Sequence, residues 1–149
     1  EGGKEVYRIR MDANELGEAQ VINNFQGYSR PAVMFQPIST GYGSGFTSHL
    51  DFVVYGDYGY SGSYRVIQGP ELGELSNYKF LNPRAPGRQI LVARGIWDEN
   101  EGHFDPHKQK FERWDWNGKK YIETELGTTR NKYSAPIDEI IKAEPEVLD

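Results

Sequence analysis

Gln89-Ile90-Leu91-Val92-Ala93-Arg94-Gly95-Ile96-Trp97 is the most strand-like run in the chain. Its apolar residues are nearly continuous, as in a strand buried within a sheet. An acidic loop follows, Asp98-Glu99-Asn100-Glu101-Gly102. Gln109-Lys110-Phe111-Glu112-Arg113-Trp114-Asp115-Trp116 then alternates polar and aromatic side chains, so Phe111 and one tryptophan are expected to face a core. Asn117-Gly118 is the strongest short hairpin signal available, because both central positions of a type I′ turn need positive φ. Lys119 to Glu123 reads as the returning strand.

Upstream, the chain also reads as strands and turns. Val6-Tyr7-Arg8-Ile9-Arg10-Met11 alternates apolar and basic residues and predicts a half-buried strand, with a turn or single helical turn over Asp12 to Ala19. Pro31 to Phe35, His49 to Tyr55 and Ser63 to Ile67 predict further strands. The loop Gly41-Tyr42-Gly43-Ser44-Gly45 and a Gly-Asp-Tyr-Gly turn from Gly56 separate them. Only the tail reads helical: Ser134 can cap, Pro136 sits in the first turn, and Ile137, Ile140 and Ile141 form one stripe that ends by Pro145.

The fold class expected is mainly β, with two similar antiparallel units, arranged as a sandwich or partial propeller, and a short C-terminal helix. The 149 residues suit a single domain, 1–149. Within it, the halves superpose at an offset of 58 residues, which gives repeat units 20–77 and 78–135. Asn24 meets Asn82, Arg30 meets Arg88, Ile38 meets Ile96, Phe46 meets Phe104, His49 meets His107 and Asp57 meets Asp115.

Composition removes several function classes. With no cysteine, disulfide scaffolds, Cys-ligated zinc, iron–sulfur clusters and thiol nucleophiles are excluded. The net charge of −5 argues against nonspecific nucleic-acid binding, which needs a basic surface to neutralise phosphates. No apolar run approaches the ~20 residues of a membrane span. Glu1-Gly2-Gly3 does not read as a signal peptide.

Pro31-Ala32-Val33-Met34-Phe35 and Arg88-Gln89-Ile90-Leu91-Val92-Ala93, with the closing phrases Phe52 to Tyr55 and Arg113 to Tyr121, resemble integrin-α-type repeats of secreted β-propellers. The calcium loop of that family is absent, since Asn23 to Gly27 and Asn82 to Gly87 hold too few carboxylates to cage the ion. Gly43-Ser44-Gly45-Phe46-Thr47-Ser48, followed by Phe52 and Tyr55, is similar to the glycine–serine loop and strand of small periplasmic lysozyme inhibitors. The tyrosine which that family carries after its Ser-Gly is missing here. The resemblance implies a secreted or periplasmic, bacterial setting and a loop that enters a protein partner such as a hydrolase, in the manner of an inhibitor or immunity-like factor.

Independently of any family, tyrosines crowd among glycines and serines in two loops. The candidate binding residues are Tyr42, Ser44, Gly45 and Phe46 in the first and Tyr58, Tyr60, Ser61 and Tyr64 in the second. Tyr, Gly and Ser together give large contact area with adaptable hydrogen bonding. The two loops are expected to be neighbours if the strands between them pair. A carbohydrate- or cell-wall-binding module using Tyr and Trp platforms is the alternative. His103-Phe104-Asp105-Pro106-His107 supplies a third reading, a metal-dependent hydrolase with His103, Asp105 and His107 as metal candidates. Pro106 disfavours the helix on which an i, i+4 histidine pair would share a face. No Gly-x-Ser-x-Gly elbow and no Gly-Lys-Ser/Thr phosphate loop occur, so no catalytic residue and no cofactor are assigned.

Overall fold

A computed structural model describes residues 4–5, 7–11, 13–40, 45–56 and 62–149. Eight strands form two four-stranded antiparallel meanders, each in sequential order. The first sheet comprises β1 (Glu15–Ile22), β2 (Ala32–Thr40), β3 (Phe46–Tyr55) and β4 (Tyr64–Gly73). The second comprises β5 (Ser76–Phe80), β6 (Gln89–Ile96), β7 (Lys108–Trp116) and β8 (Tyr121–Thr128), followed by α1 (Ile137–Ala143) and a terminal 3-10 turn, Pro145–Leu148. The expected mainly β class, with two antiparallel units and a short C-terminal helix, is what the chain adopts. The sheets do not close into a barrel.

The sheets stack because both are apolar on the facing side. Met34, Leu50, Phe52, Val54 and Ile67 of the first meet Ile90, Val92 and Tyr121 of the second, with Trp114 and Trp116 packed against them. The centre of β6 is the most deeply placed: Ile90, Leu91, Val92 and Ala93 are all fully buried. Alternation sends Ile90 and Val92 towards the first sheet, and Leu91 and Ala93 to the opposite side, onto Ile137, Ile140 and Val147. Phe111 joins this second cluster while the tryptophans join the first, so β7 is apolar on both faces.

Between the sheets, Phe25 is a plug. Its ring lies 4.5 Å from that of Phe52, and Phe52 lies 6.2 Å from Tyr121. Asn24 and Gln26 take positive φ (54° and 56°) to project it inward. The Gln26 amide donates to the Tyr121 hydroxyl (3.1 Å), and that hydroxyl donates to the Gly87 carbonyl. Gly87 has φ +80°, and a Cβ there would stand 2.2 Å from Phe25 Cε2, so both conformation and space require glycine.

Several local readings differ from the sequence expectations. Tyr7 to Met11 form no strand among the described residues; β1 instead occupies Glu15–Ile22, where a turn was expected. That strand is almost wholly exposed and has little apolar pattern, because it is an edge held by backbone pairing to β2. β5 has no counterpart in the sequence reading at all. The Asn117-Gly118 hairpin forms, but as a four-residue loop between Trp116 and Tyr121, and only Gly118 has positive φ. The Asn117 side chain accepts from the amides of Lys119 and Lys120 (2.9 Å each), doing with its carboxamide what a left-handed turn would do. The helix begins after Pro136 with no side-chain cap, so Ser134 does not fill that role.

Both units have the same strand order, and the break between the sheets falls at Glu74-Leu75, a few residues before the expected junction at 77 and 78. The ladder also corrects the offset. Phe35 pairs Asp51, whereas Ala93 pairs Phe111. Keeping the 58-residue offset between β2 and β6 makes the offset between β3 and β7 60, and in that alignment Asp51, not Val53, corresponds to Phe111. His49 accordingly aligns with Gln109 rather than His107.

The C-terminal segment is fastened by a buried carboxylate. Glu144 accepts from the amides of Arg130 (2.7 Å) and Asn131 (2.9 Å), from Asn131 Nδ2 (2.8 Å) and from the Tyr133 hydroxyl (2.9 Å). These bonds, the Arg130 amide foremost, hold its pKa down to about 2.

Two measurements test these anchors. Gly87→Ala should destabilise the fold by ~2 to 4 kcal/mol in urea titration, because a methyl must displace Phe25. Gly118→Ala, in open space, should cost only ~1 kcal/mol. Glu144→Gln should lower the thermal midpoint by several degrees at neutral pH. Because the folded pKa is depressed, Glu144 contributes fully above its unfolded value of 4.5 and loses that contribution as pH falls towards about 2. The gap between wild type and variant should therefore narrow over that window.

Candidate functional site

The outer face of the first sheet carries a row of valines, one from each strand. Val21 pairs Val33, Val33 pairs Val53, and Val53 pairs Val66. Period-two alternation puts this row opposite Met34, Phe52 and Ile67, which face the other sheet. Cross-strand β-branched pairs stabilise the sheet, but here they also leave apolar surface in water. Val21 is 62% exposed, Val33 43% and Val66 36%. The corresponding face of the second sheet is covered by α1 and the terminal turn.

A tyrosine rim borders the row. Tyr55 pairs Tyr64, with ring centroids 4.7 Å apart, and Tyr7 stacks on Tyr64 at 5.2 Å. The Arg30 guanidinium sits 4.8 Å over the Tyr55 ring. Arg30, Pro31, Val33, Val53, Tyr55 and Tyr64 line a recess of about 380 Å³. On the other side of the row, Ile9 and Met11 share a groove with Phe35, Asp51 and Val66, so the N-terminal segment covers part of the sheet.

Of the binding residues read from the sequence, Tyr42, Ser44, Tyr58, Tyr60 and Ser61 lie outside the described residues. Gly45 and Phe46 stand at the start of β3, where Phe46 lines a shallow recess with Ser39, Thr40 and Thr47. Tyr64 begins β4, beside the end of β3. The two described anchors are thus at opposite ends of a ten-residue strand, ~30 Å apart. The expectation that the two loops adjoin is corrected: pairing of β3 with β2 and β4 alternates the hairpins between its ends.

The histidine loop resolves into separate pairs. His103 Nδ1 lies 3.1 Å from Glu74 Oε2, and His107 Nδ1 lies 2.6 Å from Glu101 Oε2. Glu101 also pairs with Lys132, whose hydrogen bond is the main cause of its lowered pKa. Asp105 accepts from the Gly102 amide at 2.6 Å. Among the described residues, no three His, Cys, Asp or Glu side chains are placed to hold a metal. His103, Asp105 and His107 are therefore not brought together as ligands.

Sequence reading missed Val21, Val66, Glu74 and Lys132. The valines carry a signal only once the register is known. Comparison with protein-family models, with curated proteins and with solved structures returns no match. No helix among the described residues is long and apolar enough to cross a membrane.

Asp51 interrupts this face. Burial pushes its carboxyl pKa up, only partly offset by His49 and by the Gly69 amide. With a raised folded pKa, its favourable contribution exists at low pH and is lost as pH rises past the folded value. Asp51→Asn should therefore raise the thermal midpoint at pH 7, and the gain should shrink on acidification towards pH ~3, below the ordinary carboxylate range.

Proposed function

We propose that this chain is a non-enzymatic binding protein that recognises a protein partner through the outer face of its first sheet and the tyrosine-rich hairpin beyond Tyr55. The open valine row is the observation that carries the reading. The same chain covers the equivalent face of its second sheet with Ile137 and Ile140. An apolar-faced helix or strand from a partner would complete the first sheet in the same way. The exposed row and rim amount to a few hundred Å². A stable interface needs ~800 Å² per partner, so the tyrosine hairpin has to supply the remainder.

A glycan platform is less well supported by the rim. Sugars stack on open aromatic faces, whereas Tyr64 is already flanked by Tyr7 and Tyr55. In the protein-binding reading the molecule acts in a secreted or periplasmic setting as an inhibitor or immunity-like factor.

With a partner isolated from native extract and purified, calorimetry is expected to show Val33→Asp and Tyr64→Ala each weakening binding by more than ~tenfold at a temperature where both variants remain folded. Ile122→Asp, at an exposed position on β8, should leave affinity unaltered. Equal affinities for all three variants would remove the assignment of this face, and a glycan-array signal abolished by Tyr64→Ala would favour the carbohydrate reading.

A further inference from the structure

A second site lies on the opposite sheet. Outward along β7 from the helix-covered core, one face presents Phe111, then Gln109, then His107, because side chains two apart share a face. Phe111 is sealed under α1, and the next two are buried residues that line a cleft of about 460 Å³. Glu74, His103 and Asp105 form one wall and Tyr133 to Pro136 the other. That volume suits a small ligand or a single long side chain.

The floor is built from acceptors. His107 is 3% exposed and Gln109 6%, yet His107 Nε2 and Gln109 Oε1 have no hydrogen-bond partner among the described residues. Buried polar atoms are almost always paired, so two unpaired atoms on one cleft floor point to a ligand that pairs them. The His107 tautomer follows from its neighbour. Glu101 is held as a carboxylate by Lys132 and can only accept, so Nδ1 carries the proton and donates at 2.6 Å. In the neutral ring, Nε2 is then a lone pair. The Gln109 amide nitrogen is turned to the His107 carbonyl (3.4 Å), which leaves its oxygen on the other side.

Charge narrows the class. Glu74 and Asp105 stand on the wall, and no lysine or arginine lines the cleft among the described residues. A neutral polyol could donate hydrogen bonds to all of these groups but would leave the carboxylate charge unbalanced. A metal ion would need three ionisable ligands together, which the described residues do not supply. We infer that the cleft between β7, the Glu74 turn and the 133–136 segment binds a cation rich in N–H donors, an ammonium or guanidinium group, with His107 Nε2 and Gln109 Oε1 accepting its protons and Glu74 balancing its charge. Glu74 also ties the cleft to the Gly/Ser-rich loop, since a Cβ on Gly45 would lie 3.2 Å from Glu74 Oε1. The cation comes either from a free amine or from the side chain of a bound protein.

The test uses the full chain at low ionic strength, with calorimetry and histidine ¹⁵N NMR. Agmatine is the free cation, and an acetylated, amidated Gly-Arg-Gly peptide is the side-chain source; N-butylurea and Gly-citrulline-Gly are the neutral controls. Saturable one-site binding that moves the His107 Nε2 resonance is expected, at least ~tenfold tighter than for the neutral controls. Gln109→Leu and Glu74→Gln should each weaken it by ~fivefold or more, and Lys120→Gln should not. Tighter binding of the peptide than of agmatine assigns a protein side chain, and the reverse order a free amine. Absence of saturable binding by either cation, tighter binding of acetate or phosphate, or unchanged affinity in both variants with native thermal midpoints would overturn the assignment.

Discussion

The Phe25–Phe52–Tyr121 stack is the contact on which the architecture depends. A lone four-stranded meander has one apolar face and no way to bury it. Here each sheet buries the other, and the plug is held from both sides. Residues 24–27 drive Phe25 inward through three positive-φ positions, Asn24, Gln26 and Gly27, while Gly87 gives way because it has no Cβ. Tyr121 then ties this loop to the second sheet through the Gln26 amide and the Gly87 carbonyl, so the aromatic contact and the polar satisfaction are one device.

Once the sheets are joined, their outer faces decide what the molecule can do. The second sheet is sealed by the chain's own C-terminus, fastened by Glu144. Sealing is incomplete at one end, where the face changes from Phe111 to Gln109 and His107. The first sheet has no such helix over it among the described residues, where the segment carrying Tyr7, Ile9 and Met11 reaches part of its outer face. One fold thus presents an open apolar row and, on the other sheet, a polar cleft.

How much of this was legible follows from where the physical signal lies. The run Ile90 to Ala93 is buried on both faces, so its continuous hydrophobicity identified it without further information. β7 announced itself by alternation and a turn. β1 and β5 did not, because an edge strand draws its stability from ladder hydrogen bonds that any residue can make. Asn117 was legible as a turn residue, but whether it would act by backbone conformation or by side-chain acceptance was not. The tyrosine Tyr64 was singled out by composition, whereas the valine row needed the register of four strands before it existed as a surface. Glu74 and Lys132 became partners of the histidine loop only through tertiary contact, at separations no local pattern encodes.

A two-residue slip explains why the two units diverge. Had β3 kept the offset that relates β2 to β6, Val53 would stand where Phe111 does, and the first sheet would carry a large apolar centre ready for a helix. The ladder instead places Asp51 beside Phe35, where the second sheet has Phe111 beside Ala93. A carboxylate at that point cannot be sealed under an aliphatic helix without a partner for its charge. Burial already raises its pKa under the partial cover present. The apolar centre therefore shifts one row along, to Val33 and Val53, beside the tyrosine rim. In the second sheet that same row holds Leu91 and Arg113, and Arg113 is turned to Asp115 at 2.8 Å. Polarity at one position per sheet thus separates a face the chain covers with its own helix from one that stays largely exposed among the described residues.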